Sequence, residues 1–428
     1  AGLLDIDVYS NSIGAGYGIA GGIIDGSSAA SLNKGGHGSR YLELMGNNSY
    51  TGSTTIEAGY LKITNDNPHS FLNNTTITGP GHLLIVPENT NFGSTLSMSD
   101  INFSGTQIRQ LHIGKSGTST KLVLDENIST DGEIYLRMPV EVNGGDRSIS
   151  STNDNIRFYS TIDSDTTAAR SLTINSGSQD TTITSGAIGG SQPLNNLTIT
   201  AENLNTAAIK LNGELSTTLS QASTISGVIS NGASAANLVK AGNGTLTLSG
   251  ANTYTGTTAV NDGALTVSGS LHNDTAVSIA SGATYNVNAS DTVASIEGAG
   301  NIVLASSQTL TAGDGNDKTL SGVMSGAGSY IKAGSGTQTL SGTNTYTGTT
   351  AINAGDLTVS GSLNASTAVT VASGADYNVN ASDTVASIAG AGNIILGSNT
   401  LTSGGSNAST TFSGVISGTN GNIVKAGT

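Results

Sequence analysis

Three groups of residues in this sequence have types that could do chemistry. The first is Asp154, Asp163 and Asp165 beside Arg157 and Arg170. Paired carboxylates, sometimes with calcium and a basic residue, are what polysaccharide lyases and glycosidases use to break glycosidic bonds. Turn chemistry places acids the same way, since Asp hydrogen-bonds the backbone of tight turns, and no second carboxylate group can be set against this one. The second group, Ala312-Gly-Asp314-Gly-Asn316-Asp317, has the acidic content of one calcium-binding nonapeptide turn. Such sites form between consecutive copies, and the counterpart from Thr402 to Asn407 lacks both acids, so a structural turn is expected. The third is the histidines, His37, His69, His82, His112 and His272, which lack a metal-binding His-x-x-x-His spacing and are expected at the surface or core edge. Gly334-Ser-Gly-Thr has no strand-to-helix context for a nucleophilic serine. No catalytic residue, cofactor or metal is expected.

Arginine supplies the asymmetric signal. All six, Arg40, Arg109, Arg137, Arg147, Arg157 and Arg170, precede residue 171, as do four of the five Phe. Arg and aromatic residues are enriched at interfaces, so 66–220 is the candidate recognition segment, with Arg109, Arg137, Arg147, Arg157 and Arg170 as candidate partner-binding residues. A non-duplicated stretch of richer composition gives the same asymmetry. Tyr254 and Tyr346 share one position of a duplicated module, and Tyr285 and Tyr377 another. An aromatic stripe can bind sugar, but Tyr in a strand more often packs with its hydroxyl in water, and packing is expected.

The elements that must carry these residues are short strands. Leu246-Thr-Leu248, Leu265-Thr-Val267, Val277-Ser-Ile279 and Tyr285-Asn-Val287 alternate in polarity, with Gly, Asn, Ser or Asp between them. Residues 252–304 recur 92 positions later as 344–396, identical at 42 of 53 positions. A shorter module precedes each copy, running from Ser226 to Lys240 and from Ser321 to Lys332. A third opens at Ser413 and is cut at Thr428, so a longer parent protein is expected. Three segments follow: 1–65 with a diverged copy, 66–220 without duplication, and 221–428 with the tandem copies. Asn-Gly and Asp-Gly hairpin turns are too sparse to join every pair of strands, and like residues at a fixed period stack well in successive coils. An all-β, elongated parallel β-helix, or β-solenoid, is therefore expected, with about four coils of about 23 residues in each repeat.

Composition agrees. With 59 Gly, no Cys, no Trp and 4% aromatics, the chain suits a thin core built repeatedly better than one large core. The net charge of −14 makes nucleic acid an unfavourable partner. No apolar run approaches the roughly 18 residues that span a bilayer, so direct membrane insertion is not expected.

The stretch from Lys240 through Leu246-Thr-Leu248, Asn252-Thr-Tyr254 and Gly256 to Val267 closely resembles the passenger-associated strand repeat of Gram-negative autotransporters, as does Lys332 to Val359. Lys34 to Ile63 is a looser copy, with Arg40-Tyr-Leu-Glu-Leu44 in place of Thr-Leu-Thr-Leu. The resemblance covers these three stretches and implies a right-handed parallel β-helix exposed on the cell surface. It also implies secretion through a C-terminal outer-membrane barrel of the same parent chain. On this reading the protein is a non-enzymatic adhesin or self-associating surface protein. Its partner is a receptor or glycan on a host or neighbouring cell, or another copy of itself. The alternatives are a surface-layer structural protein and a β-helix polysaccharide lyase or glycosidase.

Overall fold

The structure is a computed structural model describing residues 2–8, 17–36, 40–68, 72, 75–102, 107–152, 154–177, 181–183 and 186–428; the side chains of 6–8 and 181–183 are not described. It divides into two units, Ala1–Glu214 and Leu215–Thr428. Both are all-β, and their strands pair in parallel and stack as a β-solenoid with about 19 turns between them. Each strand lasts only a few residues before a Gly, Asn or Ser corner, and its partner is the strand one coil later.

Alternation within each strand decides what faces inward. In the first unit Leu61, Leu83, Leu111, Ile134 and Ile156 lie in one register file, and Ile63, Ile85, Ile113, Leu136 and Phe158 in the next. All ten are buried. In the second unit Leu246, Leu265, Tyr285, Ile302 and Met324 form an equivalent file. Each buried Leu, Ile or Val contributes about 1.5–3 kcal/mol, so the core consists of stacked rows and needs few aromatics.

The coils within a repeat are shorter than expected. Four register steps carry the chain from Leu246 only as far as Met324. Gln338, which holds the position of Leu246 in the next copy, lies well beyond it. Thr337–Leu340 accordingly does not join the sheet of Thr245–Leu248. It pairs with Lys318–Leu320, in the sheet that contains Thr258–Val260 and Ala276–Ile279. The second copy is therefore advanced by one face around the solenoid, because the repeat is not a whole number of coils.

Corners set the coil spacing. A Cβ on Gly322 would lie 1.8 Å from the Gly300 carbonyl oxygen, and one on Gly342 would lie 2.1 Å from that of Gly322. Only glycine allows the backbones to approach this closely, which accounts for the recurrent Ser-Gly at this position.

Candidate functional site

The residues most regular in the sequence are structural. Lys240 is buried, and its Nζ donates to the carbonyl oxygens of Ala241 (3.1 Å), Gly242 (2.7 Å) and Asp262 (3.0 Å). Lys332 repeats this with Ala333, Gly334 and Ala354. Burial pushes the Lys240 ammonium down to about 8, and the three carbonyls supply the solvation it lost. Asn252 Oδ1 accepts the Ile229 amide at 2.9 Å while Nδ2 donates to the Gly250 and Ser270 carbonyls, and Asn344 does the same one repeat on.

The four module tyrosines pack, but their hydroxyls are not in water. Tyr254 and Tyr346 are fully buried, with hydroxyls 2.6 and 2.5 Å from Thr258 and Thr350 Oγ1. Tyr285 and Tyr377 donate to the buried carboxyls of Asp291 and Asp383, at 3.3 Å each. Enclosed by the next coil, they form no sugar-binding stripe.

The acidic groups are taken up locally. Asp154 accepts the Asn155 amide, and Asp163 accepts those of Ser191 and Gln192. Asp165 is bonded by Thr167 and Ala168 and pairs with Arg170 Nε at 2.8 Å. Burial opposes the Asp165 charge, but Thr167, Ala168 and Arg170 together hold its carboxyl well below the usual range. Asp314 closes its turn on Asn316, and Asp317 accepts the Thr337 amide. These are the contacts of turns; contrary to the sequence reading, the register does set a second carboxylate, Glu141, opposite Asp163, but Glu141 is paired with Lys121 at 2.8 Å. Among the described residues no cluster of His, Asp and Glu could hold a metal.

An outward face of the first unit differs in kind. The core file of Leu61 to Ile156 has its outward neighbours in Lys62, Leu84, His112, Tyr135 and Arg157, again in register. Just past two strand ends lie Arg137 and Tyr159. Arg137 Cζ stands 4.2 Å from the Tyr159 ring centroid, and Arg157 Cζ 5.6 Å from that of Tyr135. The two tyrosine rings are nearly parallel, 6.3 Å apart, and His112 lies 5.9 Å from Tyr135. Further along the same sheet His82 stacks on Tyr60 at 4.2 Å. A groove of about 450 Å³ opens beside Arg137 and Tyr159, with Ser116, Ser119, Ser160 and Pro139 in its wall.

Among the described residues Arg109, Arg137 and Arg157 give this face more cations than its one nearby unpaired carboxylate, Glu133, and its histidines are held neutral. Burial, then the charge of Arg137, pushes His112 down to about 4. Burial and Arg109 lower His82 likewise. Burial and Glu133 raise the Tyr135 phenol to about 12. Burial disfavours the charge on Arg157, but Tyr159, Tyr135 and Glu133 together raise it.

Of the five candidate arginines, the structure brings Arg109, Arg137 and Arg157 to this sheet. Arg147 lies over Gly144 and Gly145 and donates to the Asp146 carbonyl, on a strand of another sheet. Arg170 is engaged by Asp165. Sequence reasoning did not single out Tyr135 or Tyr159, and it named His82 and His112 only as surface or core-edge residues, which is where both lie, half-buried on this sheet. The signal for the two tyrosines was spacing: the same offset, one coil of this unit, separates Tyr135 from Arg157 and Arg137 from Tyr159. His272 is half exposed beside Asp274, and His37 and His69 lie outside the described residues.

A family model described as passenger-associated-transport-repeat matches residues 38–63, 238–267 and 331–359. These three stretches are similar to that repeat. Together with the solenoid, they fit an autotransporter passenger domain. The two later passenger repeats contain the Asn, Tyr and Thr of the buried network described above, and each begins beside or just before its buried lysine. An autotransporter passenger is exported to the Gram-negative cell surface and implies a C-terminal outer-membrane translocator on the same chain. No helix among the described residues is long and apolar enough to cross a membrane. No curated protein and no solved structure matches the chain.

Proposed function

We propose that this chain is a non-enzymatic adhesive part of an autotransporter passenger. Residues 66–220 carry its recognition face, and 221–428 form a spacer and folding scaffold. The observation that supports this is the concentration of Arg and Tyr on one outward sheet of the first unit. Outward positions flanking the Leu246 file of the second unit hold Thr247, Thr266 and Asn286 instead. The one-face advance between duplicated copies also favours a spacer, because it turns equivalent surface positions in different directions and assembles no continuous recognition strip. Guanidinium and phenol groups on a rigid sheet recognise partners at low entropic cost. The partner is then a receptor or glycan on a host or neighbouring cell.

The test compares cell binding by the full 428-residue chain and by an Arg137→Gln/Tyr159→Leu double variant of the same unfolding midpoint, with light scattering in parallel. Binding that falls at least tenfold in the variant supports a receptor-directed adhesin. Equal binding by both overturns the assignment of the face. No binding by either, with concentration-dependent scattering by both, overturns the adhesive reading in favour of stalk or lattice.

A further inference from the structure

We propose that the groove beside Arg137 and Tyr159 binds an acidic oligosaccharide whose charges are isolated carboxylates on a mostly uncharged sugar chain. The inference rests on the adhesive reading and names the chemistry of its ligand. Three observations carry it.

First, the Arg137 guanidinium lies over the Tyr159 ring. A stacked guanidinium keeps its plane fixed and its edge available, the geometry that meets a carboxylate through two parallel hydrogen bonds. Among the described residues Arg109, Arg137 and Arg157 form no ion pair, whereas Arg170, Lys62, Lys121 and Lys318 each have a carboxylate partner. These three guanidiniums have no described carboxylate in ion-pair contact, although Glu133 lies near enough to favour the charge on Arg157.

Second, the groove wall is hydroxyl-rich. Among the described residues lining it, Arg137 is the charged one and none is a carboxylate. Hydroxyls suit the many donors and acceptors of a sugar, and Pro139 and Tyr159 add apolar surface to the same wall. A guanidinium in a wall whose described residues include no acid favours an anionic group over a neutral one.

Third, the whole chain bears a net charge of −14. Its field opposes a densely charged polyanion at distances beyond the groove, while a single carboxylate within about one Debye length, roughly 8–10 Å, feels the nearby arginines most. This selects a sparsely carboxylated glycan over nucleic acid or a heavily sulfated chain.

The test is calorimetric titration of the full chain at about 50 mM salt, where screening is weak, with four probes: sialyllactose, an oligogalacturonide, maltoheptaose and a heparin fragment. Sialyllactose or the oligogalacturonide is expected to bind at least tenfold more tightly than maltoheptaose. That binding should weaken severalfold at about 500 mM salt. Arg137→Gln is expected to weaken it at least tenfold and Arg137→Lys by less, since lysine keeps the charge and loses the plane. Arg147→Gln, on another sheet, should bind as wild type does. Each variant is compared only at an unchanged unfolding midpoint, and Tyr159→Leu gives an independent second reading of the same groove. Equal affinity for maltoheptaose, preference for heparin, insensitivity to Arg137 and Tyr159, or no binding of either carboxylated probe would each overturn the proposal. Cell binding that needs Arg137 and Tyr159 while no carboxylated sugar binds would leave the adhesive reading standing and remove this one alone.

Discussion

Replacing Asp291 should change how stability depends on pH, in a direction its surroundings determine. Asp291 is 6% exposed, beneath the next coil, and accepts the Leu271 amide (3.1 Å), the Thr292 amide (3.0 Å) and the Tyr285 hydroxyl (3.3 Å). No cation pairs with it among the described residues. Burial outweighs the three donors and pushes its pKa up from 3.8 to about 6. A carboxyl whose folded value lies above its unfolded one favours folding while protonated. That contribution is fully present below pH 3.8 and is lost as pH rises through about 6. The rise of about two units is worth about 3 kcal/mol at roughly 1.4 kcal/mol per unit. Asp291→Asn keeps the acceptor for both amides and places an N–H where it can donate to the Tyr285 oxygen, without a charge to desolvate. Unfolding in urea should be followed every half unit from about pH 4 to about pH 7.5 for wild type and variant. The stability difference, variant minus wild type, should grow by about 2.5 kcal/mol across that range in favour of the variant, the remainder of the roughly 3 kcal/mol lying below about pH 4. Working with the difference cancels His82 and His112, whose depressed values cost stability as pH falls through and below the ordinary histidine range. Asp383, raised for the same reasons, should behave alike. A flat difference would refute the reasoning, since it would mean that the three donors hold the charge as well as water does.

Other substitutions test the buried network. Lys240→Met strands three carbonyls and should cost about 2–4 kcal/mol in urea unfolding; an unchanged midpoint would show that the ammonium contributes nothing net. Tyr254→Phe removes only the bond to Thr258 and should cost about 1 kcal/mol, against about 3–5 kcal/mol for Tyr254→Ala, both read from the unfolding midpoint. Gly322→Ala sets a methyl 1.8 Å from the Gly300 carbonyl and should cost about 1–3 kcal/mol or more, seen as faster proteolysis within the second unit. Wild-type protease resistance in that variant would mean that the corner opens freely.

Much of the fold was legible because its causes are local and periodic. Alternation in Leu246-Thr-Leu248 and its successors, with glycine corners, leaves stacking on the next coil as the way to bury one face. The duplication indicated coils, but it did not reveal that four of them end at Met324, short of one full repeat. Coil length depends on how each corner is cut, and a small difference there leaves the alternating pattern unchanged.

The site was less legible. The polar types of Lys240, Asn252 and Asp291 are those of ordinary turn residues; burial beneath the following coil separates them from solvated ones, and that depends on register. The same holds for the arginines. Composition confined all six to the first part of the chain. Which of them converge was decided by the lengths of the coils between them, which bring Tyr135, Arg137, Arg157 and Tyr159 onto one sheet and leave Arg147 and Arg170 on other partners. The sequence by itself determined the strand pattern, the repeats and the solenoid, because those follow from neighbours along the chain. Only the tertiary structure decided the face on which each side chain emerges, because that depends on the sum of all residues in the coils between.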